Sequence, residues 1–213
     1  MAVKRTRKRP SARVAKNRER SRQEILETAQ VLLQEGGVDA VTLGSVAGEL
    51  GLTKPALYHY FPSKEVLVRS LVVSLLDEEI EALIAAIEAE KTDRRVLGAM
   101  IRAFYAHYIN RLNAFRAVYC QSQLYSRDAG VLDEQVLHDE INPRTRELFD
   151  LLEARLSRNA GAAERVGCRR LAFSAWLGAL GLMTMLSVAD AANDPLVHTD
   201  EALLKTLVGV FDT

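Results

Sequence analysis

The fold is decided by the stretch LGSVAGELGLTKPALYHYFP, residues 43–62. Its first half repeats apolar residues at helical spacing, and Thr42 just before it supplies an N-cap hydroxyl. Gly51 can adopt the positive φ that a tight turn requires. Thr53 then caps a second short helix, with Pro55 in the first turn, where a missing N–H is tolerated. We therefore predict two short helices joined by a tight turn.

The two short helices are expected to cross at a steep, fixed angle. Ala47 is small where the helices come closest. The apolar side chains that hold the angle are Val46, Leu50, Leu52, Leu57 and Tyr60. A helix-turn-helix needs this arrangement, because its rigid angle lets the second helix enter the major groove of DNA while the first crosses the backbone. These spacings predict a DNA-binding helix-turn-helix.

Helical patterns continue on both sides of this stretch. A first helix is predicted from Arg20, with its end at Gly36 and Gly37, and Ser63 caps a long fourth helix. Further helices are predicted over residues 96–112, 115–125, 132–156, 164–189 and 200–211. Because no run alternates apolar and polar residues with period two, no strand is predicted. The predicted fold class is all-α, with a three-helix helix-turn-helix domain followed by a helical domain.

The charge of the chain is divided unevenly. The totals cancel, with 28 Lys and Arg against 28 Asp and Glu, which taken alone argues against a nucleic-acid binder. Residues 1–22, however, hold ten basic side chains and one acid, so they carry +9 and the rest carries −9. Such asymmetry indicates that one part meets a polyanion. The alternatives for this basic arm are a solvated tail or, for the run KRTRKRP, a nuclear-import signal.

The helix-turn-helix region resembles the tetracycline-repressor (TetR) family of bacterial regulators. The matching residues are 25–33, Gly36, 42–47, Gly51, Lys54, Leu57, Tyr58, Tyr60, Phe61, Pro62, Ser63, Lys64 and Leu67. The match covers about residues 20–70, and the run TKPALYHYFPSKEVL departs little from the family's third helix and the start of its fourth. The resemblance implies a homodimeric repressor that a small apolar ligand releases from a palindromic DNA operator.

Three segments follow from this reading: a basic arm at 1–22, a DNA-binding domain at 23–69 and a ligand-binding and dimerisation domain at 70–213. The residues expected to contact DNA are Thr42, Thr53, Lys54, Pro55, Ala56, Tyr58, His59 and Lys64, with Arg18, Arg20 and Arg22 of the arm. Thr53 and Lys54 open the recognition helix toward bases and phosphates, and compact Pro55 and Ala56 permit close approach. In TetR-like proteins the positions of Tyr58 and Lys64 touch phosphate. Leu57, Tyr60 and Phe61 are expected in the core.

Aromatic residues of the acidic half are candidates for an effector pocket. The predicted ligand-binding residues are Tyr105, Tyr108, Phe115, Tyr119, Gln123, Phe149 and Trp176, with His107 and Arg116 as further polar groups. Pockets for small ligands combine apolar walls with a few polar groups. The alternative is that these aromatics form ordinary core.

Residues 171–189 contain no charge and approach the ~20 residues needed to span a bilayer. A helix that is apolar all round can equally be buried by protein, and its small residues suit packing on a symmetry-related copy. The predicted dimer interface comprises Trp176, Leu182, Met185, Leu204, Leu207 and Phe211. We favour this interface over a membrane anchor.

Enzymatic and metal-binding functions find no support in the motifs. There is no Ser/His/Asp order, Gly-rich phosphate loop or HExxH, although an enzyme acting on an apolar metabolite stays as an alternative. The run 138–140 (His, Asp, Glu) points in different directions on a helix, and Cys120 and Cys168 lack ligand spacing. We expect no catalytic residue, metal or cofactor. The basic start lacks the apolar stretch of a signal peptide, so a cytoplasmic location is expected.

Overall fold

The structure is a computed structural model that describes residues 12–120, 135, 137–158 and 162–212. Within these ranges the chain forms helices and no strand, which confirms the all-α prediction. The helices are α1 (Ala12–Ala40), α2 (Leu43–Glu49), α3 (Lys54–Tyr58), α4 (Lys64–Ala89), α5 (Val96–Tyr108), α6 (Leu112–Phe115), α7 (Asn142–Leu156), α8 (Ala162–Ala192) and α9 (Asp200–Phe211). A 3₁₀ turn (Asp93–Arg95) precedes α5, and π-helical turns follow α6 (Arg116–Cys120) and precede α7 (Leu137–Ile141).

Helix α1 is longer than predicted at its N-terminal end. It begins at Ala12 rather than at Arg20, so residues 12–22 are helical rather than a flexible arm. At its other end the helix breaks where the glycines predicted a stop. Gly37 has φ 68° and ψ −171°, a conformation that glycine adopts at little steric cost, and one more turn follows to Ala40. Residues 1–11 of the arm lie outside the described part of the chain.

The helices α1, α2 and α3 form the small domain that the sequence predicts. The Thr42 hydroxyl accepts a hydrogen bond from the Ser45 N–H at 3.0 Å, while the Ser45 hydroxyl accepts one from the Thr42 N–H at 3.0 Å. This reciprocal pair is a capping box, which satisfies two N–H groups of the first turn. Gly51 has φ 62°, and the Leu52 N–H donates to the Ala47 carbonyl at 2.8 Å, closing the turn.

Helix α4 joins this domain to the remaining helices. Its buried side chains are Leu67, Val68, Leu71, Val72, Leu75, Glu79, Ile80, Leu83 and Ile87, and they pack mainly against α1, α5 and α7. Its C-terminal end is held by Arg155 of α7, which donates to the carbonyls of Ile87 at 2.8 Å and Glu90 at 2.6 Å. Such contacts satisfy carbonyls that have no partner within the helix. Arg155 also forms a 2.6 Å salt bridge with Asp93.

Polar contacts tie α1 to the larger domain along its length. The pairs are Arg22 with Ser70 (2.7 Å), Gln30 with Glu78 (3.0 Å) and Asn113 with the Gln34 carbonyl (2.9 Å). Arg111 also donates to Glu78 at 3.0 Å. Because α1 and α4 are joined at Ser70 and Glu78, the helix-turn-helix domain is fixed to the helix that enters the larger domain.

The later helices differ from prediction mainly at their ends. Helix α7 begins at Asn142 rather than at residue 132, because Pro143 lies in its first turn, where its missing N–H is tolerated. Helix α5 ends at Tyr108, four residues earlier than expected. Residues 121–134, which hold the end of the predicted helix at 115–125 and the start of that at 132–156, lie outside the described ranges. The predicted span 200–211 coincides with α9.

Helix α8 packs one face against α5, α7 and α9 through Ala172, Ala175, Ala179, Met183 and Leu186. The segment Gly167–Ala192 is long and apolar enough to cross a membrane by length and composition, and about a third of it is buried within the chain. The core helix of a protein that spans no membrane meets the same criterion. The opposite face of α8, which carries Leu177, Met185 and Val188, is exposed in the single chain.

Candidate functional site

Five of the eight predicted DNA-contacting residues of the helix-turn-helix are exposed: Thr53, Lys54, Pro55, Tyr58 and His59. Thr42, Ala56 and Lys64 are half-buried. We call these eight residues the reading surface. Tyr58 is 51% exposed, while Leu57 of α3 and Phe61, three residues beyond the end of this helix, are fully buried. The core prediction is therefore confirmed for Leu57 and Phe61, and Tyr60 is half-buried against the core.

Local hydrogen bonds and close packing set the reading surface. The Thr53 hydroxyl accepts from the Ala56 N–H at 3.4 Å, a weak cap that leaves its own hydrogen free to be donated. The aliphatic stem of Lys54 crosses α2 at Gly44, where an added Cβ would lie 3.2 Å from Lys54 Cε. Gly44 therefore makes room for a lysine that starts the recognition helix.

The three arginines of the arm differ from one another. Arg18 and Arg20 are exposed on α1, and Arg20 lies 3.7 Å from Glu24 in a surface pair of small energetic value. Arg22 is half-buried. Its guanidinium donates to Ser70 at 2.7 Å and lies 4.5 Å from the centroid of the Phe61 ring, a cation–π distance. Arg22 thus links α1 to α4, a structural role that the charge count did not predict.

The second candidate site is a cavity of about 250 Å³ in the larger domain. Its lining residues are Leu76, Glu79, Ile80, Val118, Tyr119, Ile141, Thr145, Leu148, Phe149 and Trp176. We call it the Glu79 cavity. Three predicted ligand-binding residues, Tyr119, Phe149 and Trp176, line it together although they come from separate elements. The structure brings them together by tertiary packing.

The other predicted ligand residues lie elsewhere. Phe115 is fully buried in an edge-to-face cluster with Phe104 and Tyr108, where the alternative of ordinary core applies. Tyr105 faces α9 instead, and its hydroxyl donates to Asp200 at 2.6 Å. Partial burial and the Asp200 carboxylate raise the pKa of Tyr105. Gln123 lies outside the described residues.

The two further polar candidates, Arg116 and His107, lie outside the lining of the Glu79 cavity. Arg116 donates to the Ser187 carbonyl at 2.7 Å and to Asp190 at 2.6 Å, so it binds the C-terminal part of α8. Burial and the neighbouring Arg111 charge lower the pKa of His107 to about 4, so this imidazole is neutral near pH 7.

Glu79 is the functional candidate that the sequence reasoning missed. It is 2% exposed, and its Oε2 accepts hydrogen bonds from the hydroxyls of Tyr108 at 2.6 Å and Tyr119 at 2.7 Å. Burial raises its pKa to about 7, against the lowering effect of these two hydrogen bonds. A signal was present, because residue 79 continues the four-residue spacing of Leu71, Leu75 and Leu83 and therefore lies on the buried face of α4.

The six residues predicted for the dimer interface differ in their exposure within the single chain. Leu182, Leu204, Leu207 and Phe211 are half-buried against the chain's own core, and Trp176 lines the Glu79 cavity. Leu207 and Phe211 approach Gly178, where an added Cβ would lie 3.0 and 3.8 Å from them. Of the six predicted residues, Met185 alone is exposed, at 57%. The exposed α8 face comprises Phe173, Leu177, Gly181, Met185 and Val188.

The geometry defines a helix-turn-helix domain followed by a larger helical domain. Residues 25–71 match the sequence family described as bacterial regulatory proteins, tetR family. The chain is 31% identical over 104 residues to an uncharacterized HTH-type transcriptional regulator of Mycobacterium tuberculosis, covering 48% of each chain. It is 31% identical over 84 residues to BetI of Rhizobium meliloti, covering 39% of this chain and 41% of that one. The chain thus spans about half the length of these relatives, or less.

A longer alignment joins the chain to an uncharacterized HTH-type regulator of Mycobacterium bovis, at 26% identity over 80% of this chain and 84% of that one. Solved structures share the fold. A TetR/AcrR family regulator from Thermobifida fusca aligns with TM-score 0.65 and 20% identity, covering 91% and 97% of the two chains. FadR from Bacillus subtilis in complex with stearoyl-CoA aligns with TM-score 0.64 and 15% identity, covering 90% and 97%. Residues 25–71 thus resemble bacterial regulatory proteins of the tetR family, and the chain shares its all-α fold with these solved structures.

Proposed function

We propose that the protein is a homodimeric, cytoplasmic repressor that binds a palindromic DNA operator and leaves it when a small, largely apolar ligand enters the Glu79 cavity. The observation that carries this proposal is the course of α4. Its first residue, Lys64, belongs to the reading surface, and its buried residues Leu76, Glu79 and Ile80 line the cavity. One helix therefore touches both sites.

DNA recognition is assigned to the reading surface. In this proposal Thr53 and Lys54 face base edges and phosphates, Pro55 and Ala56 permit close approach to thymine methyls, and Tyr58, His59 and Lys64 bind the phosphate backbone. The exposure of α3 beside the buried Leu57 and Phe61 supports this assignment. Arg18 and Arg20 of α1 add cations next to the same domain, whereas Arg22 supports α1 from within.

Dimerisation is assigned to the exposed α8 face. Leu177, Met185 and Val188 are exposed large apolar residues on this face, and Gly181 between them permits close approach of a second helix. A contiguous exposed apolar surface typically marks an interaction site. Pairing with a second copy around a twofold axis covers it and presents two reading surfaces to successive major grooves, about 34 Å apart. This interpretation requires no membrane.

Release of DNA is assigned to a change in the position of α4. A ligand that binds one arrangement of the two DNA-binding domains more tightly shifts the population toward that arrangement. The names of relatives support a repressor that responds to ligand. KstR2 of Rhodococcus jostii, 30% identical over 84 residues, is a transcriptional repressor, and FadR of Bacillus subtilis was solved with stearoyl-CoA.

The test is selection of genomic fragments by the purified protein, followed by footprinting. We expect protection of an inverted repeat with half-site centres about one helical turn, or a multiple of it, apart. Fragments retained without any shared sequence, or protection of a single half-site by a monomer, would contradict the proposal. The genes beside the fragments then supply candidates for the ligand.

Lys64→Ala is expected to weaken binding to operator and unrelated DNA by a similar factor. Because a phosphate contact releases counterions, the slope of log K against log salt should fall by about 1. Fluorescence anisotropy across a salt series measures both quantities. Lys91→Ala is the matched control, since Lys91 is an exposed lysine beyond the far end of α4. An unchanged affinity at low salt would refute the phosphate contact.

Deletion of residues 1–17 is expected to flatten the same salt slope by roughly 0.9 for each phosphate contact that is lost. This segment holds seven of the ten cations of the arm. Sequence preference should be unchanged, because phosphate contacts carry no base information. The measurement is the salt dependence of binding to operator and to a scrambled duplex. A slope equal to that of the full chain would show that the segment makes no contribution.

A further inference from the structure

We propose that the Glu79 cavity selects small organic cations, namely quaternary or protonated amines with an apolar body, over neutral molecules of the same shape. The inference rests on the proposed function, since the cation would be the effector that acts on α4. Three properties of the cavity carry it: the buried acid, the aromatic walls and the size.

The buried acid supplies the charge. Glu79 is 2% exposed, and its carboxylate oxygens accept hydrogen bonds from the neutral hydroxyls of Tyr108 and Tyr119 at 2.6–2.8 Å. Across the described ranges, no lysine, arginine or histidine forms an ion pair with it. A buried carboxylate without a counter-charge is unfavourable, so a cation in the adjacent cavity gains the attraction of this group. An anionic ligand is repelled by it.

The aromatic walls suit a cation whose charge is covered by alkyl groups. The ring centroids of Tyr119 and Phe149 lie 6.3 and 6.5 Å from that of Trp176, at interplanar angles of 59° and 79°. Non-parallel rings of this kind form a corner, and the faces of aromatic rings attract cations and quaternary ammonium groups. Most other lining residues are aliphatic: Leu76, Ile80, Val118, Ile141 and Leu148. One carboxylate among such neighbours does not offer the oxygen shell that a bare Ca²⁺ or Mg²⁺ ion requires.

The size of the cavity limits the ligand. A volume of about 250 Å³ falls below the roughly 300–1,000 Å³ of pockets for drug-sized ligands. Phenyltrimethylammonium is a suitable probe because it combines one ring with one quaternary charge. Its neutral counterpart, tert-butylbenzene, has the same shape without the charge.

Trp176 makes the test direct. It is the single tryptophan of the chain and lines the cavity, so its fluorescence reports occupancy without a label. The full chain is titrated with each probe in the absence of DNA. We expect phenyltrimethylammonium to bind at least tenfold more tightly than tert-butylbenzene. Equal affinities, or saturation by the neutral probe alone, would overturn the proposal.

Two variants test whether Glu79 is the source of the selectivity for the cationic probe. Glu79→Gln keeps the shape and removes the charge, so the affinity for the cation should fall about tenfold or more and that for the neutral probe should stay within twofold. Glu78→Gln is the matched control, because Glu78 precedes Glu79 on α4 but binds Gln30 and Arg111 outside the cavity. Equal losses for both probes in Glu79→Gln, or the same loss in Glu78→Gln, would contradict the role of Glu79.

A third variant tests the proposal if circular dichroism shows that Glu79→Gln does not fold. Phe149→Leu retains an apolar wall and removes a ring, so selectivity for the cation should fall several-fold while the neutral probe still binds. Unchanged selectivity would overturn the aromatic contribution and with it the proposal. The outcome is separate from that of the proposed function. Operator binding without cation selectivity refutes this inference alone, whereas cation selectivity without binding to any fragment refutes the regulator.

Discussion

Replacing Met185 with glutamate is expected to separate the dimer into monomers and to lower operator affinity by roughly a hundredfold or more. Met185 lies on the exposed α8 face, 57% exposed in the single chain. Twofold symmetry places two copies of the new carboxylate in one apolar interface. Burying an unpaired charge opposes association by several kcal/mol, and each 1.4 kcal/mol corresponds to a tenfold change in affinity. A single helix-turn-helix then contacts one half-site.

Sedimentation equilibrium measures the association state, and fluorescence anisotropy with the selected operator measures the affinity. Ala85→Glu is the matched control, because it introduces the same side chain at an exposed position of α4. We expect this control to stay dimeric and to bind the operator normally. A Met185→Glu protein that binds the operator with unchanged affinity as a monomer would show that the α8 face is not the interface.

Replacing Glu79 with glutamine is expected to remove a pH-dependent loss of stability of about 3 kcal/mol that the unaltered chain undergoes between pH 4.5 and pH 8. Glu79 has a pKa of about 7 in the folded chain, against an ordinary value of 4.5. The folded state therefore holds the proton more tightly than the unfolded state does. Below pH 4.5 both states are protonated, and between pH 4.5 and 7 the native chain loses stability as the pH rises. Above pH 7 the difference is constant, since each pKa unit corresponds to 1.36 kcal/mol.

Urea denaturation of both proteins at several pH values between 5 and 8 measures the difference. Glutamine does not ionise, so the gap between Glu79→Gln and the unaltered chain should widen from pH 5 to about pH 7 and then level off. Glu78→Gln is again the control, and a gap that widens equally in that variant would show that the change is not specific to Glu79. Parallel curves for Glu79→Gln and the unaltered chain would show that the buried carboxyl does not have a raised pKa.

The helix-turn-helix could be predicted closely because its signals are local. Thr42, Gly51, Thr53 and Pro55 each act within one turn of the chain, through a cap, a positive φ or a missing N–H, and the structure places all four as expected. The start of α1 differs from the prediction for another reason. Residues 12–19 contain alanine, arginine, lysine and glutamate, which favour helix, whereas the charge of this segment indicates only contact with a polyanion.

The cavity and the exposed α8 face depend on tertiary packing, which local patterns do not contain. Tyr119, Phe149 and Trp176 converge from three separate elements, and nothing in their spacing distinguishes them from Phe115, which is core. In α8 nearly every residue is apolar, so the sequence does not show which side is covered by α5 and α7. Leu182 is therefore predicted at the interface, whereas in the single chain Leu182 is half-buried and the neighbouring Gly181 is exposed.

Arg155 fixes the C-terminal end of α4 through its hydrogen bonds to the Ile87 and Glu90 carbonyls, so this end is the pivot of any tilt of the helix. With about 1.5 Å of rise per residue, Glu79 lies roughly 16 Å from Glu90 and Lys64 lies roughly 39 Å from it. If α4 tilts as a rigid rod about the end that Arg155 fixes, a displacement of about 1 Å at Glu79 becomes roughly 2.4 Å at Lys64. The helix therefore acts as a lever that amplifies small movements in the cavity. The ratio of the displacement at Lys64 to that at Glu79 is set by the position of Glu79 along α4.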